Sequence, residues 1–170
     1  MPGAYRGPVA DFEIAQLNVG RLVAPTDSPD VAEFMEALDE INAIADVSPG
    51  FVWRFQTEDG NATAERPFDD DSVLVNFSTW TSIDALADFV FRSAHTVYLR
   101  RRREWFERMD EIYSVLWWVP AGHQPTVAEA IERLDHLREH GPTAVAFTFR
   151  HRFTSDQVAD AADPRDVCPA

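Results

Sequence analysis

Along this chain the spacing of apolar residues switches repeatedly between a period near two, the mark of a strand, and one near 3.6, the mark of an amphipathic helix. From Ile14 to Leu22, Ala15, Leu17 and Val19 alternate with Ile14, Gln16 and Asn18, which predicts a half-buried first strand. Ser28-Pro29 then offers an N-cap and a first-turn proline. Val31, Phe34, Met35, Leu38, Ile41, Ile44 and Ala45 follow as one apolar stripe that Pro49-Gly50 stops, predicting the first helix. Phe51 to Gln56 is short, aromatic and alternating, and a polar run from Thr57 to Asp71 with Gly60, Asn61 and Pro67 reads as a long hairpin loop. Val73 to Trp80 is a third strand, with Val73, Val75 and Phe77 on one face and Asn76 and Ser78 on the other. Thr81 or Ser82 can cap a long helical stretch from Ile83 toward Ile112, and Ser114 to Val119 is a fourth strand. Thr126 stands three residues before Glu129, a capping-box spacing. The helix it opens carries Val127, Ala130, Ile131, Leu134 and Leu137 inward and ends at Gly141-Pro142, and Val145 to Phe149 reads as a last strand.

The order is βαββαβ with an added C-terminal helix and strand, an α+β fold of the ferredoxin-like kind. It predicts a single ferredoxin-like domain over residues 14–153, an irregular N-terminal arm over 1–13 that is rich in Gly and Pro from Pro2 to Pro8, and a flexible tail over 154–170. Helices on one face of a four-stranded sheet leave the other face bare. A second copy pairing through that face predicts a homodimer and a dimeric α+β barrel, unless the added helix and strand cover part of the face within the monomer.

Composition narrows the partners. The chain has 170 residues, 45% of them hydrophobic and 12% aromatic, enough for one buried core. A formal charge of -14 speaks against a nucleic-acid partner. A single cysteine, Cys168, excludes an internal disulfide or a cysteine-based metal cluster and is a poor nucleophile candidate in a tail. With no signal-peptide pattern and no membrane-length apolar run, the reading is a cytoplasmic protein without a membrane partner.

Three stretches carry a resemblance: AQLNVGRL from Ala15 to Leu22, FSTWTSIDALADFVFRSAHTVYLRRRREWFE from Phe77 to Glu107, and WWVPAGHQPTVAEAIERLDHLREHGPTAVAFTF from Trp117 to Phe149. In order and spacing, from Ile14 to Phe153, the chain resembles an uncharacterised bacterial domain-of-unknown-function family placed with the antibiotic-biosynthesis-monooxygenase-like dimeric α+β barrels. The resemblance implies a superfamily holding cofactor-free oxygenases of aromatic polyketides, small-molecule isomerases, and haem-binding members with an axial histidine. Fold alone does not choose among these chemistries.

On a helix at 100° per residue, Leu86, Val90, Ser93 and Val97 share one face. Phe91, His95, Tyr98, Leu99, Arg102 and Phe106 lie roughly opposite, a second apolar face fit for a subunit contact, the added helix, or a pocket wall. An imidazole in this aromatic setting, with arginines two turns away, suits haem: His95 to the iron, Arg102 to a propionate, with Tyr98, Trp80, Phe91 and Phe106 around the ring. The haem-degrading relatives carry a tryptophan where Phe89-Val90 stands here, a departure from their pattern. A lone histidine among apolar residues is also commonly just a hydrogen-bonded structural residue, and Arg100 to Arg103 read equally as a solvated face pairing with Glu104 and Glu107.

Asn18, with Asn76 and Ser78, puts amides and a hydroxyl on strand faces, where they can orient an oxygenated ligand or stabilise an oxyanion. A first-strand asparagine is also what the resemblance marks as functional. His95 and Asn18 are thus the catalytic candidates. His123, in the turn before the added helix, reads as a capping or packing residue, and His136 and His140 show no metal-site spacing. Three readings follow: a haem-dependent redox enzyme acting on a small apolar or aromatic molecule, a cofactor-free monooxygenase or isomerase of a polyketide-like substrate, and a non-catalytic ligand-binding or assembly module.

Overall fold

The strict alternation of the first strand makes it the hub of the sheet. β1 (Phe12–Arg21) pairs along its length with β3 (Val73–Trp80), from Ile14↔Trp80 to Arg21↔Val73, and with β4 (Ser114–Pro120), from Phe12↔Pro120 to Asn18↔Ser114. β2 (Phe51–Arg54) lies outside β3, with a bulge between Phe51 and Trp53. The order is β2-β3-β1-β4 and every pairing is antiparallel, the arrangement that βαββαβ connections produce in a ferredoxin-like sheet. The computed structural model describes residues 12–56, 68, 70 and 72–161. The Gly- and Pro-rich start from Pro2 to Pro8, most of the polar run from Thr57 to Asp71, and Cys168 lie outside the described residues.

Residues i and i+2 share a face of a strand, so this sheet has two different faces. On one, Ala15, Leu17, Val19, Val75, Phe77, Val115 and Trp117 are buried with Ala130, Leu134 and Leu137 of α4 (Val127–His140). Each of the three leucines buried there contributes about 2 kcal/mol of transfer free energy. Thr126 caps α4 by accepting from the Glu129 amide at 3.1 Å. The carboxylate of Glu129 accepts from the Trp117 indole at 3.3 Å and meets His123 Nε2 at 2.8 Å, so Glu129 ties the start of α4 to the sheet and to the turn that carries His123.

The other face carries α1 (Ala32–Asp46), α2 (Ile83–Arg92) and α3 (His95–Trp105). A short 3-10 turn, Pro29–Val31, leads into α1, with the Ser28 hydroxyl accepting from the Asp30 amide. Ser82, not Thr81, caps α2. Ile14, Trp80 and Leu116 of the sheet are buried with Ala45 of α1 and Ile83 and Leu86 of α2.

Three expectations are corrected. Among the described residues no α+β barrel forms: the sheet is open, with β2 at one edge and β4 at the other. The edge strand β2 is four residues long and bulged, too short and irregular to continue a ladder. The face that argued for sheet-to-sheet pairing is occupied by the chain's own α4. The added strand over Val145 to Phe149 reduces to one bridge, Phe147 exchanging two 2.8 Å backbone bonds with Leu116, after which the chain bends away. Finally, the long helix breaks at Ser93 and stops at Trp105. The Ser93 hydroxyl donates to the Phe89 carbonyl at 2.6 Å and accepts from the His95 amide at 3.1 Å, so its side chain takes the place of backbone partners and restarts the helix at His95. A further short helix, α5 (Ser155–Ala161), follows. No helix among the described residues is long and apolar enough to cross a membrane.

Candidate functional site

Between the sheet and helices α1 to α3 lies a cavity of about 560 Å³, within the range that holds a small organic ligand. Its floor is the polar alternation of β1 and β3: Gln16, Asn18, Asn76 and Ser78. These side chains form a connected set. Asn18 Nδ2 donates to Gln16 Oε1 at 3.3 Å, and Gln16 Nε2 donates to Ser78 Oγ at 3.2 Å and to Asn76 Oδ1 at 3.4 Å. The Trp80 indole, wholly buried, donates to Ser78 Oγ at 2.9 Å.

Counting donors against acceptors shows what this floor can do. Ser78 Oγ accepts twice, which leaves its own proton uncommitted, and the Asn76 amide and one N–H of Asn18 have no acceptor among the described residues. The floor therefore holds its geometry through internal bonds and keeps hydrogen-bond donors for a ligand oxygen.

The walls are apolar and aromatic. Phe34 and Leu38 come from α1, Leu86, Phe89 and Val90 from α2, and Leu99 and Trp105 from α3. Gly20 lets Phe106 close one end: a Cβ there would stand 2.7 and 2.8 Å from two Phe106 ring carbons. At the other end Phe89 stacks on Trp80 at 4.9 Å, and His95 tilts against Phe89 at 4.8 Å.

His95 opens α3 because Ser93 ends α2, and this break sets the imidazole into the cavity wall. Burial pushes its pKa below the ordinary 6.5, a shift that Nδ1 opposes through a 3.5 Å contact with the Val90 carbonyl. A carbonyl can only accept, so that contact selects the Nδ1–H tautomer and leaves the Nε2 lone pair free to take a proton. At neutral pH the residue is an uncharged base.

All the residues singled out in the sequence line this cavity: Asn18, Trp80, Phe91, His95, Tyr98, Arg102 and Phe106. Their surroundings differ. Phe91 is 53% exposed and meets Phe149 edge-on at 5.2 Å, so it belongs to the rim. The Tyr98 hydroxyl is hydrogen-bonded to Glu40 of α1, which raises its pKa above the ordinary 10 and makes it a strut between helices. Arg102 lies over the Tyr113 ring at 4.3 Å, whereas its neighbour Arg101 is ion-paired with Glu33 and Glu104 on the surface. Gln16, the hub of the floor, and Arg150 were not among the candidates. Gln16 is legible from its alternation with Ala15 and Leu17; Arg150 has no such signal.

A porphyrin held at His95 would lie with its apolar macrocycle over the sheet, where the amides of Asn18 and Asn76 keep hydrogen-bonding groups that a porphyrin face cannot satisfy. The residues present do not fit haem in the arrangement expected of His95 and Arg102. Among the described residues no group of three or more His, Cys, Asp or Glu side chains is placed to hold a metal ion.

Fold and site together define a ferredoxin-like α+β protein with a ligand-sized cavity between its sheet and helices. The chain belongs to the family described as Domain of unknown function (DUF3291), which matches residues 13–163. The open sheet corrects the barrel expected of that family's members. No curated protein matches the chain. Among solved structures, it is similar to a mutant of SnoaB, a cofactor-independent oxygenase from Streptomyces nogalater, at 21% identity and a TM-score of 0.45, over 68% of this chain and 97% of that one. It is also similar to NE2512, a protein of unknown function from Nitrosomonas europaea, at 8% identity and a TM-score of 0.44, over 68% and 95% of the two chains.

Proposed function

We propose that the cavity is the active site of a cofactor-free oxygenase acting on an enolisable, largely apolar aromatic molecule. The observation that carries this reading is the pairing of a histidine kept neutral by burial with a floor of uncommitted hydrogen-bond donors, inside an aromatic-walled cavity. Nε2 of His95 takes a proton from a ring CH₂ activated by a neighbouring carbonyl. The negative charge moves to that carbonyl's oxygen, where Ser78, Asn76 and Asn18 donate to it.

The resulting anion is electron-rich enough to reduce dioxygen. A C–O bond forms at the deprotonated carbon, and the peroxide takes back the proton from His95. Removal of the second C–H proton then breaks the O–O bond. The carbon leaves as a carbonyl and the second oxygen leaves as water, so CH₂ and O₂ become C=O and H₂O with all four electrons accounted for by the substrate.

The test separates the two halves of this chemistry. Under anaerobic conditions in D₂O, the protein should exchange the acidic proton of an anthrone probe, and in air it should consume one O₂ for each quinone formed, without added cofactor. His95→Gln should slow both by about 100-fold or more. Gln16→Leu, which dismantles the floor, should slow both by about as much. Exchange without oxygen uptake would convert the reading to an isomerase using the same base. Absence of exchange, or exchange that survives His95→Gln, contradicts it.

A further inference from the structure

All fifteen cationic side chains of this protein are arginines, and they face 29 carboxylates. In such a molecule an arginine is expected to find an acidic partner, and many do: Arg21, Arg54, Arg92, Arg101, Arg108, Arg138 and Arg152 are each ion-paired. Three arginines line the cavity, Arg54, Arg102 and Arg150. Arg54 is ion-paired with Asp46, but Arg102 and Arg150 have no carboxylate partner among the described residues.

Arg102 is half-buried, and taking a guanidinium partly out of water without a counter-ion costs free energy. It is held by the faces of Tyr113, at 4.3 Å, and of Phe106, at 5.9 Å. Stacking of this kind fixes the plane of the guanidinium and leaves its N–H edge available for a planar anion. Arg150 reaches the same cavity by a different route. The antiparallel bridge of Phe147 to Leu116 directs the chain toward the Ser114 end of β4 before the Thr148–His151 turn reverses it. Thr148, Phe149 and Arg150 are thereby delivered to the cavity lining. Arg150 is exposed there, as are Phe91, Leu99 and Ile112 of the same lining.

We infer that the molecule bound in this cavity is an amphipathic aromatic carboxylate, its ring system against the Phe89, Val90 and Leu38 walls and its carboxylate on Arg102, with Arg150 adding positive field at the opening. This rests on the cavity being the ligand site, and it adds a charge requirement that the proton chemistry of His95 does not need. A surface of net charge -14 repels small anions in general, so cavity-lining arginines with no carboxylate partner among the described residues select for those that also bring apolar area.

The experiment is a binding comparison that needs no turnover. Calorimetric titration with 9-anthracenecarboxylate and with its neutral isostere 9-anthracenecarboxamide should show the carboxylate binding about tenfold tighter or more, the worth of one charge-assisted hydrogen-bond pair. Arg102→Met should erase this preference, and Arg150→Gln, at an exposed position, should reduce it about threefold. His95→Gln should leave the preference intact. Equal affinities in the wild type, or a preference that survives both arginine substitutions, overturns this inference and leaves the base-and-donor reading standing. Failure of both probes to bind overturns the two together.

Discussion

The two faces of the sheet are made by the same three strands, one residue out of step, and they have opposite characters. On the α4 face, Leu17, Phe77 and Trp117 meet Leu134 and Leu137 in a dry core with each of these side chains at most 1% exposed. On the α1–α3 face, Gln16, Asn18, Asn76 and Ser78 stand under an open volume. Packing free energy on the first face supports a polar, incompletely filled arrangement on the second, which is the usual division between scaffold and site. The difference teaches that α4, the element added after βαββαβ, is what frees the other face for chemistry.

Substitutions on the two faces should therefore fail in different ways. The largest effect expected is from Trp117→Ala on the dry face, which should lower stability by about 4 kcal/mol in urea unfolding. At temperatures where that variant remains folded, its ligand affinity should stay near wild type. Loss of binding in the folded variant would mean that the faces are not independent.

Gly20→Ala on the cavity face should cost about 2 kcal/mol, because the new methyl displaces the Phe106 ring. Its distinguishing sign is a loss of anthracenecarboxylate binding out of proportion to the lost stability, since the displaced Phe106 ring lines the cavity. Unchanged binding would show that this end of the cavity is not used.

The smallest effect is the pH dependence that His95 imposes. Its folded pKa lies below 6.5, so beneath that pH the unfolded chain takes up a proton that the folded chain resists. Stability should be fully present above pH 6.5 and should decline as the pH falls toward the lowered folded value. Thermal melts across that window should show a shallower decline in His95→Gln. An identical slope in the variant would mean that the imidazole is not desolvated.

Much of this comparison is legible in the sequence, because period-two alternation assigns faces without knowledge of what covers them. Ala15, Leu17 and Val19 against Gln16 and Asn18 already separate core from floor. His95, Tyr98, Arg102 and Phe106 share a helical face by spacing alone. The break at Ser93 was not legible, since a serine within a helical pattern reveals nothing about whether its hydroxyl will take over the backbone bonds. Nor was the placement of Arg150, because Val145 to Phe149 has the composition of a strand and only tertiary packing reduces it to a single bridge. The barrel was expected from a bare sheet face, and the pattern of α4 does not state which face it will cover.

The most direct test of the account is a chemical-shift map of the ¹⁵N-labelled protein titrated with 9-anthracenecarboxylate. The predicted result is perturbation concentrated at Gln16, Asn18, Ser78, His95 and Arg102, including the side-chain amides of the floor, with Leu134 and Leu137 of α4 unmoved. Perturbation centred on α4, or a map with no cluster at the floor, would contradict it.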